Sequence, residues 1–268
     1  MKQLPHITKK QQELLLLLYR YRFINTRQIE LLMHLKDKKR MGVWLKDLRE
    51  KGYVEWIYTA SLEQKRKPAI YYLALNGIRY LTSLNTYPIA EIRKRYKEST
   101  RKVDFIARSL LLVDCAIHLD VRNSSSDELE YTFATRADYI DPESDYHFLT
   151  EPSPDLFIEK QEDVAGETIT TNYLTHIFGT TTPRYTVRKQ LKDYVMYLYD
   201  GDWRSELDCD EFIIHVICPT KTDLLYAKRR THLLLEDIGQ EEDTHIRFAT
   251  VDQVRQEGIT GFIWEEVN

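Results

Sequence analysis

The apolar positions of the first eighty residues fall into helical spacing and then into alternation. Gln11 to Tyr19 opens with the longest apolar run of the chain, Leu14–Tyr19. That run is far short of the roughly 18 residues a membrane helix needs and too apolar to stay exposed, so a buried first helix is expected. Asn25-Thr26 reads as a helix N-cap, and Arg27–Leu35 as a short second helix with Ile29, Leu32 and Met33 inward. Asp37 caps a third helix running to about Lys51, with Gly52 ending it. On this helix Met41, Trp44, Leu45 and Leu48 form one stripe at spacings of three and four. Lys39, Gly42, Val43, Lys46 and Glu50 face the other way, with Arg40 and Arg49 on the flanks. Two β-rich runs follow, Tyr53–Tyr58 and Ala69–Leu73, around the loop Glu63–Pro68.

Beyond the hairpin, residues 88–120 read as one long or broken helix, basic at first and then apolar from Phe105 to Ile117. Its basic half is either an extended nucleic-acid footprint or a solvated connector. Its apolar half is expected to pack on the following sheet or on a second subunit. Asn123–Glu128 is a polar loop. From Leu129 onward the pattern predicts strands at Leu129–Ala134, Asp155–Glu159, Thr170–Phe178, Glu211–Cys218 and His245–Ala249. Helices are predicted at Tyr185–Tyr199 and Thr222–Asp237, with a short one near Asp252. The fold class is therefore α+β or α/β: three helices and a hairpin, then a small mixed-sheet domain.

Charge separates the two parts. Residues 1–110 hold 24 Lys+Arg against 10 Asp+Glu, a net of +14, whereas residues 111–268 hold 14 against 32, a net of -18. A split of this kind points to two domains with different partners, with expected boundaries at 1–85, 86–120 (the connecting helix) and 121–268. Of 268 residues, 43% are hydrophobic and 30% charged, which excludes a disordered or low-complexity chain. The start, Met1-Lys-Gln-Leu-Pro-His, lacks the apolar core of a signal peptide. Cys115, Cys209 and Cys218 are few and widely spaced, which argues for a reducing compartment and against a disulfide framework. A cytoplasmic protein off the membrane is expected.

Three helices followed by a hairpin with a basic tip is the order of a winged helix-turn-helix. A polyanion is attracted to such a domain, and the third helix is where a major groove would be read. The candidate DNA-binding residues are Arg27, Lys38, Lys39, Arg40, Gly42, Val43, Lys46 and Arg49, with Lys65, Arg66 and Lys67 at the wing tip. Gly42 permits close approach, Val43 offers a contact for a thymine methyl, and the cations meet phosphates or base edges. The bland alternative is a solvated basic face used for protein contacts. RNA fits less well, because no RNP-type aromatic strand or GxxG loop is present.

Several stretches resemble the bacterial replication-relaxation family of plasmids and other mobile elements. They are Leu14–Ile29 (LLLLLYRYRFINTRQI), Leu45–Val54 (LKDLREKGYV) and Tyr72–Leu81 (YLALNGIRYL), in which Ala74 stands where the family usually has Thr. The resemblance covers residues 12 to about 81 and then the spacing of the C-terminal half. It implies a DNA-binding protein of plasmid replication or DNA relaxation whose second domain resembles a restriction-endonuclease-like core. Pro154-Asp155 sits where such a fold places its first catalytic aspartate.

A nuclease centre needs a second acid and usually a lysine on the next strand to hold Mg²⁺ and position water. The segment Thr170–Gly179 has neither, and Thr175 and Ile177 stand where relatives carry acids. No catalytic residue, metal ligand or cofactor site is therefore nominated. No His-x-His pair, phosphate-binding glycine loop or dinucleotide motif occurs. Tyr194, Tyr197 and Tyr199 read as packing residues, and His176 and His215 as core histidines with satisfied hydrogen bonds. Two functions stay open: a double-stranded-DNA-binding replication factor and a winged-helix transcriptional regulator. A Mg²⁺-dependent nuclease is the third possibility. A homodimer, and a replication protein held by the acidic domain, are the other expected partners.

Overall fold

The computed structural model describes residues 3–58, 67–125, 129–200, 203–207, 209, 211–240 and 245–267. The chain is mixed α/β and divides into two compact units, Met1–Val113 and Asp114–Asn268. No described helix is long and apolar enough to cross a membrane.

In the first unit, α1 (Lys9–Tyr21) starts with a capping box between Thr8 and Gln11 and buries Leu14, Leu15 and Leu18. β1 (Ile24–Asn25) leads into α2 (Thr26–Leu32), which Asn25 caps together with Gln28. This helix stops short of the expected Leu35 because His34 turns to φ +48. Leu32 and Met33 stay half-buried, so Ile29 is the core anchor of α2. α3 (Lys38–Glu50) starts at Asp37, whose carboxylate accepts the N–H groups of Lys39 (2.9 Å) and Arg40 (3.2 Å). Gly52 takes φ +69 and donates to the Arg49 carbonyl, while Tyr53 donates to that of Leu48. These two bonds satisfy the orphan carbonyls of the helix end. Asp47 ties α3 to α1, accepting from the Gln11 amide at 2.7 Å and from Lys51 at 2.8 Å.

β2 (Val54–Ile57) and β3 (Ile70–Leu73) pair antiparallel from Val54↔Leu73 to Ile57↔Ile70, and β1 adds to the other side of β3. α4 (Leu75–Leu84) then crosses so closely that a Cβ on Gly77 would lie 2.3 Å from the Tyr53 carbonyl oxygen. Gly77→Ala is expected to cost about 1–3 kcal/mol by urea unfolding, as overpacking against rigid backbone does. Gly42→Ala, where a Cβ meets nothing within 4 Å, should lose nothing and gain up to about 1 kcal/mol of helix propensity. Equal effects at the two sites would refute this packing argument.

The connector is broken rather than continuous. α5 (Ile89–Arg93) runs into a 3-10 segment, Lys94–Thr100; the chain breaks at Arg101-Lys102, and α6 (Val103–Asn123) follows. The boundary between the two units falls within α6.

In the second unit a six-stranded mixed sheet has the order β4-β5-β6-β7-β8-β9. β4 (Leu129–Thr135), β5 (Leu156–Val164) and β6 (Glu167–Ile177) form an antiparallel meander. β7 (Glu211–Cys218) and β8 (Ile246–Thr250) add in parallel, and β9 (Glu265–Glu266) closes the edge antiparallel. The short α7 (Arg136–Tyr139) follows β4. α8 (Arg184–Asp200) and the short α9 (Trp203–Glu206) link β6 to β7, α10 (Lys221–Asp237) links β7 to β8, and α11 (Val251–Glu257) follows β8. One sheet face, carrying Phe157, Leu174, Phe212, Ile214 and Val216, packs with Leu191, Val195 and Leu198 of α8 and Leu224 and Leu235 of α10. Beside the sheet, Asn123 of α6 exchanges two hydrogen bonds with the Tyr131 backbone.

Candidate nucleic-acid interface

α3 presents its polar face as the periodicity predicts. Met41, Leu45 and Leu48 are buried, while Lys39, Gly42, Val43 and Lys46 are exposed, Val43 by 65%. These four lie at i, i+3, i+4 and i+7, one strip along a single side of the helix. The glycine at its centre leaves the backbone accessible. Among the described residues Lys39 has no ion-pair partner, and Lys46 lies only loosely, at 3.8 Å, from Glu50.

The flanking cations are placed differently. Lys38 pairs with Glu30 of α2 at 2.9 Å. Arg40 lies over the half-buried Trp44 ring at 5.3 Å. Arg49 stacks on Trp56 of β2 at 3.8 Å and hydrogen-bonds Tyr71 of β3. It therefore braces the hairpin against α3. Arg27 is exposed at the start of α2. Of the wing-tip cations Lys67 is exposed, whereas Lys65 and Arg66 lie outside the described residues. Trp56 and Tyr58, stacked at 5.1 Å and both partly exposed, adjoin Arg49 and were not among the expected residues. The signal that could have found them is the Trp56-Ile57-Tyr58 edge, apolar at three consecutive positions with no core to receive them all.

The basic connector is not a free cationic surface. Glu98, 1% exposed, accepts a hydrogen bond from Arg22 Nε (2.8 Å) and forms ion pairs with Arg22 Nη2 at 2.7 Å and, through its other oxygen, with Arg101 Nε at 3.4 Å. Arg95 is buried and donates to the Tyr19 carbonyl at 3.0 Å. Burial, and then the neighbouring Arg22, pull its pKa down to about 10. Arg22 and Arg101 also flank the Phe105 ring, at 4.4 and 4.9 Å. Both expectations for this segment are thereby corrected for Arg95, which is buried, holds the fold together and is not available to phosphates; Arg101 is partly exposed, and Arg93, Lys97 and Lys102 are exposed.

In the second unit, Asp155 precedes β5 beside the end of β6. Its Oδ2 accepts the Ile177 N–H at 2.7 Å and lies 3.5 Å from His176 Nδ1. Tyr194 of α8 reaches the same nitrogen at 3.0 Å. Burial first, and Asp155 next, raise the Tyr194 phenol well above its ordinary value, so it stays a neutral hydroxyl. β6 begins earlier than expected and so includes an acid, Glu167, but that residue pairs with Val164 at the far end of the strand. Thr175 pairs with Leu156, and eight residues of strand separate the ends by about 27 Å. Thr175 itself is fully buried. Among the described residues no group of three or more His, Cys, Asp or Glu could hold a metal ion. The arrangement around Asp155 can cap a strand end and orient an imidazole.

No family model matches the chain, and no curated protein matches it. Similar solved structures include the restriction endonuclease FokI, at 11% identity and a TM-score of 0.32, over 93% of this chain and 43% of that one. FokI bound to DNA is another, at 11% identity and 0.30, over 92% and 44%. The chain thus spans less than half the length of those structures.

Proposed function

We propose that this chain is a non-catalytic, double-stranded-DNA-binding protein. In this reading the first unit is a winged helix-turn-helix with α3 as its recognition helix. The observation that carries it is the exposed strip Lys39-Gly42-Val43-Lys46 in a segment of net charge +14: two unburied cations flank a bare backbone and one methyl-bearing side chain, a pattern suited to groove entry. The second unit is read as a restriction-endonuclease-like core that has lost its metal centre. Support comes from the helix α6, the meander β4–β6, then α8 and the parallel β7, together with a single carboxylate at Asp155 where such a centre would need at least two acids. Its acidic character suits contacts with a second copy or with a replication protein rather than with phosphates. The finer reading, a replication factor of a plasmid or other mobile element, rests on the sequence resemblance.

Fluorescence anisotropy on a duplex enriched by selection tests the DNA reading. The Lys39→Ala/Lys46→Ala double variant is expected to bind more weakly, and each lost phosphate contact should flatten the slope of log K against log salt by about 0.9. Wild-type binding by the double variant would refute α3 as the reader. Selected sites forming an iterated array in a replication origin favour the replication factor; one palindrome over a promoter favours a regulator. Mg²⁺- or Mn²⁺-dependent nicking of supercoiled DNA that is lost in Asp155→Ala would overturn the non-catalytic reading.

A further inference from the structure

The sheet face opposite α8 and α10 carries a cavity of about 580 Å³, within the size range of small-ligand sites. It lies wholly within the second unit, between the end of α6, strands β4–β8 and the segment 258–266. At its base His215 of β7 is 5% exposed, stacked on Trp264 at 3.6 Å and 8° and flanked by Tyr173 at 4.8 Å. Among the described residues, neither ring nitrogen of His215 has a hydrogen-bond partner. A buried polar group left in that state costs about 1–3 kcal/mol. Three cations, Arg122, Lys160 and Arg247, line the same cavity in a segment that is otherwise strongly acidic. Lys160 and Arg247 have carboxylates nearby, in Glu162 and in Glu211 and Glu266. Arg122, exposed at the end of α6, makes no ion pair among the described residues. Aromatic walls, an imidazole with an unmet donor and acceptor, and a cation without a counter-charge are the complement of a flat polar ring bearing an anion.

We propose that this cavity is a binding site for a mononucleotide. The base lies against the aromatic wall of Tyr173 and Trp264, over the buried His215, and the phosphate is held by Arg122 and Lys160. The phosphate supplies a charge-assisted partner for the guanidinium, and the base gains stacking area. A site of this kind is independent of α3 and of any DNA contact made by the first unit.

Calorimetry on the full chain tests it with AMP as the probe and with adenosine and ribose 5-phosphate as its two halves. AMP is expected to bind at least about tenfold more tightly than either half, a difference of about 1.4 kcal/mol, and to quench tryptophan fluorescence. Arg122→Ala removes an exposed side chain and should leave the fold intact. It should weaken AMP about tenfold or more while leaving adenosine unchanged. In Trp264→Phe the quenching should vanish. Absence of AMP binding at millimolar concentration, AMP binding indifferent to Arg122→Ala, or ribose 5-phosphate binding as well as AMP would each overturn the proposal.

Discussion

Glu98→Ala is expected to destabilise the first unit by about 3–5 kcal/mol, the range for removing one partner of a buried charge cluster. The carboxylate is 1% exposed, accepts one hydrogen bond from Arg22 and forms ion pairs with Arg22 and Arg101. Arg95, itself 5% exposed, lies close enough for Glu98 to support its charge. Without Glu98, positive charges face one another in a poorly solvated site, and Glu91, which supports Arg95, is itself paired with Lys94. Against a typical total stability of about 5–15 kcal/mol, such a loss should lower the midpoint of urea unfolding sharply. Glu98→Gln keeps the shape and one acceptor and should fall between the two. Adding Arg22→Ala to Glu98→Ala should recover part of the loss, because it removes one of the stranded charges. A change below about 1 kcal/mol for Glu98→Ala would mean that the cluster is effectively solvated.

The contrast between α3 and this connector shows what the sequence could and could not reveal. α3 was legible because local signals agreed: Asp37 to cap it, Gly52 to end it, and an apolar stripe at helical spacing between them. The strands of the second unit were legible for the same reason, as apolar runs bounded by polar loops. Glu167–Ile177 was read too short because its first residues are polar and exposed, paired only by backbone. Arg22, Arg95 and Arg101 were illegible. Their partner Glu98 lies 76 residues from Arg22, and nothing local distinguishes an arginine that will be buried from one that will face water. The site in the second unit behaved similarly. His176 makes the expected hydrogen bond, with Tyr194. His215, read in the same way, has no such bond; its neighbour Trp264 comes from a segment 49 positions on, which no periodicity could place. Of the residues proposed to face DNA, the strip on α3 followed from helical spacing alone, whereas the engagement of Arg49 with Trp56 and Tyr71 required the hairpin to be folded against it.

Stability is also expected to fall steeply in mild acid, through His215. Burial, and secondarily the charge of Arg247, hold its imidazole well below the ordinary value. Glu211 and Glu266 flank Arg247 but do not reach the ring, and Trp264 and Tyr173 present only aromatic surface to it. Among the described residues no group hydrogen-bonds the ring. Above about pH 6.5 the ring is neutral in both folded and unfolded chains and contributes no pH dependence. As pH falls below that value, the unfolded histidine takes up a proton that the folded one refuses. Stability then drops with a limiting slope of about 1.4 kcal/mol per pH unit. His118, held low by burial and then by Arg122, adds a smaller slope of the same sign. Urea unfolding between about pH 5 and pH 8 should therefore show a plateau and then a decline. In His215→Phe, which keeps a flat ring against Trp264, the decline should be much shallower, leaving the share owed to His118. If the variant loses stability as steeply as the wild type below pH 6.5, the folded chain must be protonating His215 after all, and the ring cannot be sealed between Trp264 and Tyr173 as described.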